Sequence, residues 1–141
     1  MSSELTPEKD KTLRRIFERD RFAYMLGIGI TDIKRGCATA DMTVREEMLN
    51  GADVVNGGVL CTLADFALAV AANSMSENIS LTLSLNVQFV KSARCGQLLT
   101  ATARSVAEGK RIGHFETVIV NEKDETVFIA HGMSYERQNA E

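Results

Sequence analysis

The sequence predicts an α+β domain in which an antiparallel sheet wraps one long buried helix, with a shorter helix at the N-terminus. Two observations carry that prediction. Residues 56–73 are almost uniformly apolar, open on Gly57-Gly58, contain no proline and hold a single charge, Asp65. On either side of them, segments of alternating apolar and polar residues read as strands separated by turn residues.

The elements follow in chain order. Residues 4–20 read as a charged amphipathic helix, with Thr6 as N-cap, Pro7 at the first helical position and a narrow apolar stripe of Leu13, Ile16 and Phe17. Residues 1–26 are thus a helical flank or lid to a single domain spanning 1–141, not part of its core. Around Gly27 the period changes. Residues 28–33 alternate, Arg35-Gly36 makes a turn, and Ala38, Ala40, Met42 and Val44 alternate again, which predicts a hairpin. Residues 46–53 form a polar loop that includes Asn50-Gly51 and delivers the chain to the helix. Apolar residues fall on every side of that helix, so burial all round is expected.

The clearest strand is 81–89. Its period of two places Leu81, Leu83, Leu85, Val87 and Phe89 on one face, expected to cover the helix, and Thr82, Ser84, Asn86 and Gln88 on the other. Three further strands are expected at about 97–106, 112–120 and 126–136, with turns at 108–110 and 121–125. No repeat, low-complexity tract or linker interrupts the order.

Composition removes several function classes. A net charge of -3 gives no general affinity for nucleic acid or anionic membranes. Cys37, Cys61 and Cys95 are widely spaced and, with two histidines, form no metal-ligand cluster, so no metal is expected. The first twenty residues are charged throughout, unlike a signal peptide, and the helical run is too short to span a bilayer. A soluble, cytoplasmic protein is expected. GxSxG, P-loop and GxGxxG motifs are absent, which leaves serine-hydrolase, nucleotide-triphosphate and Rossmann readings without support.

Asp65 stands out in this frame. A carboxylate in an apolar helix must find hydrogen-bond or charge partners, or give up its charge. It is either satisfied by structure or kept for chemistry. The helix N-terminus supplies a complementary feature: unpaired N–H groups carry a partial positive charge, and glycines let a ligand approach the backbone closely. That is an oxyanion site suited to acyl transfer.

The order strand, strand, helix and four strands around a buried helix resembles the hotdog fold. Within it, Gly-Gly-x-Leu-x-x-Leu-Ala-Asp-x-Ala at 57–67, leading to Asn73, resembles acyl-CoA thioesterases of the phenylacetate-degradation type. That family includes the human thioesterase-superfamily enzymes acting on longer acyl-CoAs. The resemblance runs from Gly27 onward. It implies that Asp65 is the catalytic carboxylate and that the Gly57 N–H polarises the thioester carbonyl. Asn50 matches a loop Asn found near the thioester, and Thr82 falls where some members carry a water-positioning Ser, with Ser84 the alternative. Asn56 replaces the family's usual His; it can hydrogen-bond but not titrate near neutrality. The usual Arg-Pro after the strand is replaced by Lys91-Ser92.

Asn56, Gly58 and Ser84 complete the expected substrate contacts. Lys110 and Arg111, in a hairpin turn, are candidates for the phosphates of a CoA nucleotide, against the plainer reading of a solvated turn. Lys91 and Arg94 are weaker candidates of the same kind. His114 and His131 are expected to be structural or at the surface.

Geometry adds one constraint. Gly57 and Asp65 are eight residues apart, roughly 12 Å along a helix, while a reacting carbonyl must lie within about 3 Å of its donor and close to its nucleophile. One helix cannot supply both. The site is therefore expected to join Gly57 of one subunit to Asp65 of another in an obligate dimer, and the family resemblance adds a dimer of dimers. The expected function is hydrolysis of an aromatic or medium- to long-chain acyl-CoA, with CoA as part of the substrate and no separate cofactor. The alternative is a non-catalytic acyl-CoA-binding or sensing domain. A hydratase would need the missing His.

Overall fold

Small residues set the distance between helix and sheet. In the computed structural model, which describes residues 4–138, strands β1 (Gly29–Lys34) and β2 (Cys37–Thr43) form a hairpin, turning at Gly36 with φ 77°. Helix α3 (Gly57–Asn73) follows, then β3 (Ser80–Phe89), β4 (Leu98–Glu108), β5 (Ile112–Val120) and β6 (Thr126–Glu136). All neighbours in the sheet are antiparallel, in the order β1-β2-β4-β5-β6-β3. Under α3, Ala38 pairs with Ala103 and Ala40 with Ala101, all four buried. Gly132 of β6 lies so close that a Cβ there would meet Leu68 Cδ1 at 2.4 Å. Leu63, Ala64, Ala67, Leu68 and Ala71 of α3 are fully buried against this floor.

The expected architecture is present, and three local expectations are corrected. The N-terminal flank is two helices. The first, α1 (Pro7–Phe17), has Thr6 as N-cap and Pro7 at its start as expected, and α2 (Arg21–Leu26) begins again at the Asp20 cap. Asp20 accepts the Ala23 N–H at 3.0 Å, a cap that the strongly charged run around it conceals. The flank also enters the core, because Leu13, Ala23 and Leu26 are buried.

Helix α3 is not buried all round. Cys61, Thr62, Asp65, Ala69 and Asn73 are half-buried and Gly58 is exposed, which leaves one stripe of the helix open.

The third correction concerns β3. Its ladder with β6 slips between Thr82 and Ser84. Leu85, Val87 and Phe89 lie opposite Gly132, Ala130 and Phe128, while Thr82 and Ser80 lie opposite Ser134 and Glu136. Leu83 is the extra residue of a β-bulge, which reverses the alternation before it. Leu81 and Leu83 are therefore exposed, at 51% and 56%, and Thr82 shares the helix-facing side with Leu85 and Val87. Ser84, Asn86 and Gln88 face away, as expected.

No helix among the described residues is long and apolar enough to cross a membrane.

Candidate active site

Local sequence explains why the start of α3 presents a free donor. Asn56 is the N-cap, and its Oδ1 accepts the Gly58 N–H at 2.7 Å. The Val59 N–H returns to the Asn56 carbonyl at 3.0 Å. Gly57 N–H is thus the one donor of the first three left without a hydrogen-bond partner among the described residues, at the positive end of a seventeen-residue helix.

Gly57 opens into a cavity of about 300 Å³ lined by Asn50, Val54, Val55, Leu60, Phe89, Val90, Lys91 and Ser92. Asn50 reaches it from a tight loop that the residue itself organises. Its Oδ1 accepts the N–H groups of Ala52 at 2.8 Å and Val54 at 3.3 Å. With the oxygen committed, the Asn50 Nδ2 is the end left to donate. The ring of Phe89 stands over Gly57, where an added Cβ would meet Phe89 Cε1 at 2.9 Å, and packs edge-on against Phe128 at 5.6 Å between centroids. Only glycine leaves that face of the helix start open.

Asp65 lies in a different recess. A second groove, about 370 Å³, is lined by Cys61, Thr62, Asp65, Thr82, Leu83, Ser84 and Leu85. The bulge at Leu83 brings Thr82 to the side of the sheet that Asp65 occupies. Asp65 Oδ1 is shut off from solvent and accepts no hydrogen bond, a rare state for a carboxylate oxygen. Thr62 is committed elsewhere, donating to the Gly58 carbonyl at 2.8 Å. Burial pushes the Cys61 thiol up from its ordinary value, and the charge of Asp65 one turn along the helix adds to the effect.

The structure thus gathers the expected residues into two groups. Gly57 and Asn50 share the first cavity; Asp65, Thr82 and Ser84 share the second. Asn56 and Gly58 flank the helix start, Asn56 as a cap. Lys110 and Arg111 join neither group. They border a recess with Ala72, Met75 and Ser134 at the opposite end of α3. Arg111 stacks on the Tyr135 ring at 4.8 Å and donates to the Tyr135 hydroxyl at 2.7 Å and the Glu136 carbonyl at 2.9 Å. It anchors its own hairpin. Phe89, unremarked in the sequence except as a strand residue, is the neighbour of Gly57; nothing in its alternation signals that. Among the described residues no three His, Cys, Asp or Glu side chains are grouped to hold a metal ion.

Comparison with known proteins bears on this geometry. Residues 52–128 match the thioesterase superfamily profile. Acyl-coenzyme A thioesterase PaaI of Escherichia coli is 37% identical over 120 residues, 85% of each chain. The solved structure of E. coli PaaI, from the phenylacetic acid degradation operon, superposes with a TM-score of 0.90 at 33% identity, covering 96% of this chain and 97% of that one. A Thermus thermophilus protein superposes with a TM-score of 0.80 at 27% identity over 84% of this chain and 99% of its own.

Proposed function

The chain belongs to the thioesterase superfamily and is a thioester hydrolase, and we propose that it hydrolyses acyl-CoA thioesters at a site shared between two copies. One relative is an acyl-CoA thioesterase, which supports CoA as the thiol carrier. The observation that carries the reading is Asp65 Oδ1, a buried carboxylate oxygen with no partner, in a groove that also holds Thr82. A purely structural acid would be satisfied.

In this reading the Asp65 carboxylate takes a proton from water as it attacks, or attacks the carbonyl carbon itself to form an anhydride that water then hydrolyses back to the carboxylate and the free acid, and Thr82 orients the water. Charge develops on the carbonyl oxygen, where the Gly57 N–H and Asn50 Nδ2 donate to it. The thiolate of CoA leaves and takes a proton. Gly57 and Asp65 open into separate recesses, and a helical separation of roughly 12 Å keeps one substrate from using both in one chain. A second copy supplies the missing half. Strand β3 offers the surface: it is an edge strand carrying exposed Leu81, Leu83 and Phe89, and the exposed Val90 follows it. Aromatic and straight-chain acyl groups both suit the largely apolar walls of the cavity beside Gly57.

The test is hydrolysis of short, medium, long, phenylacetyl and hydroxybenzoyl-CoA, followed as free thiol, with wild type beside Asp65→Asn. Turnover by wild type, lost by about 10²–10⁴-fold in the variant, is expected for removal of a general base. Binding without turnover in the wild type would leave an acyl-CoA-binding domain in place of the enzyme.

A further inference from the structure

This inference rests on the hydrolase reading and concerns what else the substrate presents to the cavity beside Gly57. The walls there are largely apolar, made by Val54, Val55, Leu60, Phe89 and Val90, and Lys91 is the sole cationic residue lining it. Two features make that cation available. Its root is fixed, because the Lys91 N–H donates to the Val127 carbonyl at 3.1 Å. Its head is paired at the surface: Nζ donates to Glu125 Oε2 at 2.5 Å, with the two side chains 49% and 41% exposed to solvent. An ion pair so exposed contributes little to stability and is open to exchange with another anion.

Glu125 does not depend on Lys91 to remain in place. Its other oxygen accepts from Asn121 Nδ2 at 3.0 Å, and its backbone N–H donates to Asn121 Oδ1 at 3.1 Å. Lys91 first, then Asn121, hold its carboxyl below the usual range, and the charge of Lys123 adds a smaller effect. The hydroxyl of Ser92, beside Lys91 in the lining, has no hydrogen-bond partner among the described residues. A solvent-exposed cation on a fixed root, a free hydroxyl and a carboxylate with a second partner of its own form an anion acceptor in its resting state.

We propose that Lys91 leaves Glu125 for an anionic group of the bound substrate and so reads substrate charge at this site. An acyl-CoA can offer such a group from two sources, the phosphates of its nucleotide or a carboxylate at the far end of the acyl chain. Lys110 and Arg111 lie at the other end of α3 and do not line this cavity.

Three compounds separate the sources: the acyl group that wild type hydrolyses fastest, carried on CoA, the same acyl group on N-acetylcysteamine, and its ω-carboxylated form on CoA. Lys91→Ala is expected to raise KM about tenfold for the anion-bearing compound with kcat unchanged, and Lys91→Arg to restore it. Glu125→Gln, which frees Lys91, should lower the same KM. A loss on both neutral-acyl CoA and ω-carboxyl CoA, absent on N-acetylcysteamine, assigns the phosphates. A loss confined to the ω-carboxyl compound assigns the acyl carboxylate. An equal loss on all three, or none on any, overturns the proposal. Dissociation constants for the three compounds, measured on Asp65→Asn with and without Lys91→Ala, give the same contrast without turnover. If wild type hydrolyses nothing, the hydrolase reading fails while that binding contrast still decides the role of Lys91.

Discussion

Asp65→Asn is expected to make the protein more stable while removing its activity, and the opposed signs separate chemistry from structure. Asp65 Oδ1 is closed off and unpartnered, while its second oxygen belongs to a residue that is only half-buried and lines an open groove. An unmade hydrogen bond at a buried polar atom costs about 1–3 kcal/mol, more for a charged group. With one of two oxygens affected, the lower end applies. Asparagine keeps the shape and removes the charge, so a gain of about 1 kcal/mol is expected, which for a chain of this size raises Tm by about 3 °C. A carboxylate held in a structural network would behave oppositely, since losing a hydrogen bond to a charged group costs about 1.5–3 kcal/mol. The assay is a pair of thermal melts by circular dichroism at one protein concentration, beside the thiol-release assay. A fall in Tm of several degrees would refute the reasoning and make Asp65 a structural acid.

Two further outcomes are expected. Cys61 should react more slowly with iodoacetamide at neutral pH than exposed Cys95, because its raised thiol value leaves less thiolate; Asp65→Asn removes one of the two causes and should speed it, as read by peptide mass spectrometry. Gly132→Ala should destabilise by about 1–3 kcal/mol through overpacking, since the new methyl would meet Leu68 Cδ1 at 2.4 Å and Leu85 Cδ2 at 2.9 Å; denaturant melts with an unchanged Cm would contradict the close seating of α3.

Most of the architecture was legible because its signals are local. The unbroken apolar run gave α3, and period-two alternation with turn residues gave β5 and β6 with their observed bounds. The errors arise where a long-range contact overrides a local pattern. Residues 81–85 alternate as a regular strand should, yet the pairing with β6 inserts Leu83 as a bulge, and no residue type in the run announces it. Thr82 consequently stands on the same side as Asp65, which strict alternation denied. The open stripe on α3 was hidden for a similar reason: small residues such as Ala69 read as core whether or not another element covers them. Asp65 and Gly57 could be singled out because a lone charge and a glycine pair in an apolar run are visible in one dimension, and Asn50 because it matches the resemblance. The positions of Phe89 over Gly57, and of Arg111 away from both recesses, depend on tertiary packing alone.

The central claim, that Gly57 of one copy works with Asp65 of another, is tested by mixing two inactive variants. Gly57→Pro removes the N–H at the first helical position, where proline suits the backbone and the preceding Asn56 already has ψ 134°; its Cβ also meets the Phe89 ring at 2.9 Å, so the variant closes the face beside the donor as well as removing it. Asp65→Asn removes the carboxylate. Each alone is expected to lose about 10²-fold or more in kcat. Unfolded together in equal amounts and refolded, half of the dimers carry one chain of each kind and one intact site of two, so about one quarter of wild-type activity should return. No recovery, with mixed dimers demonstrated by mass spectrometry, would contradict a shared site and put both groups to work within one chain.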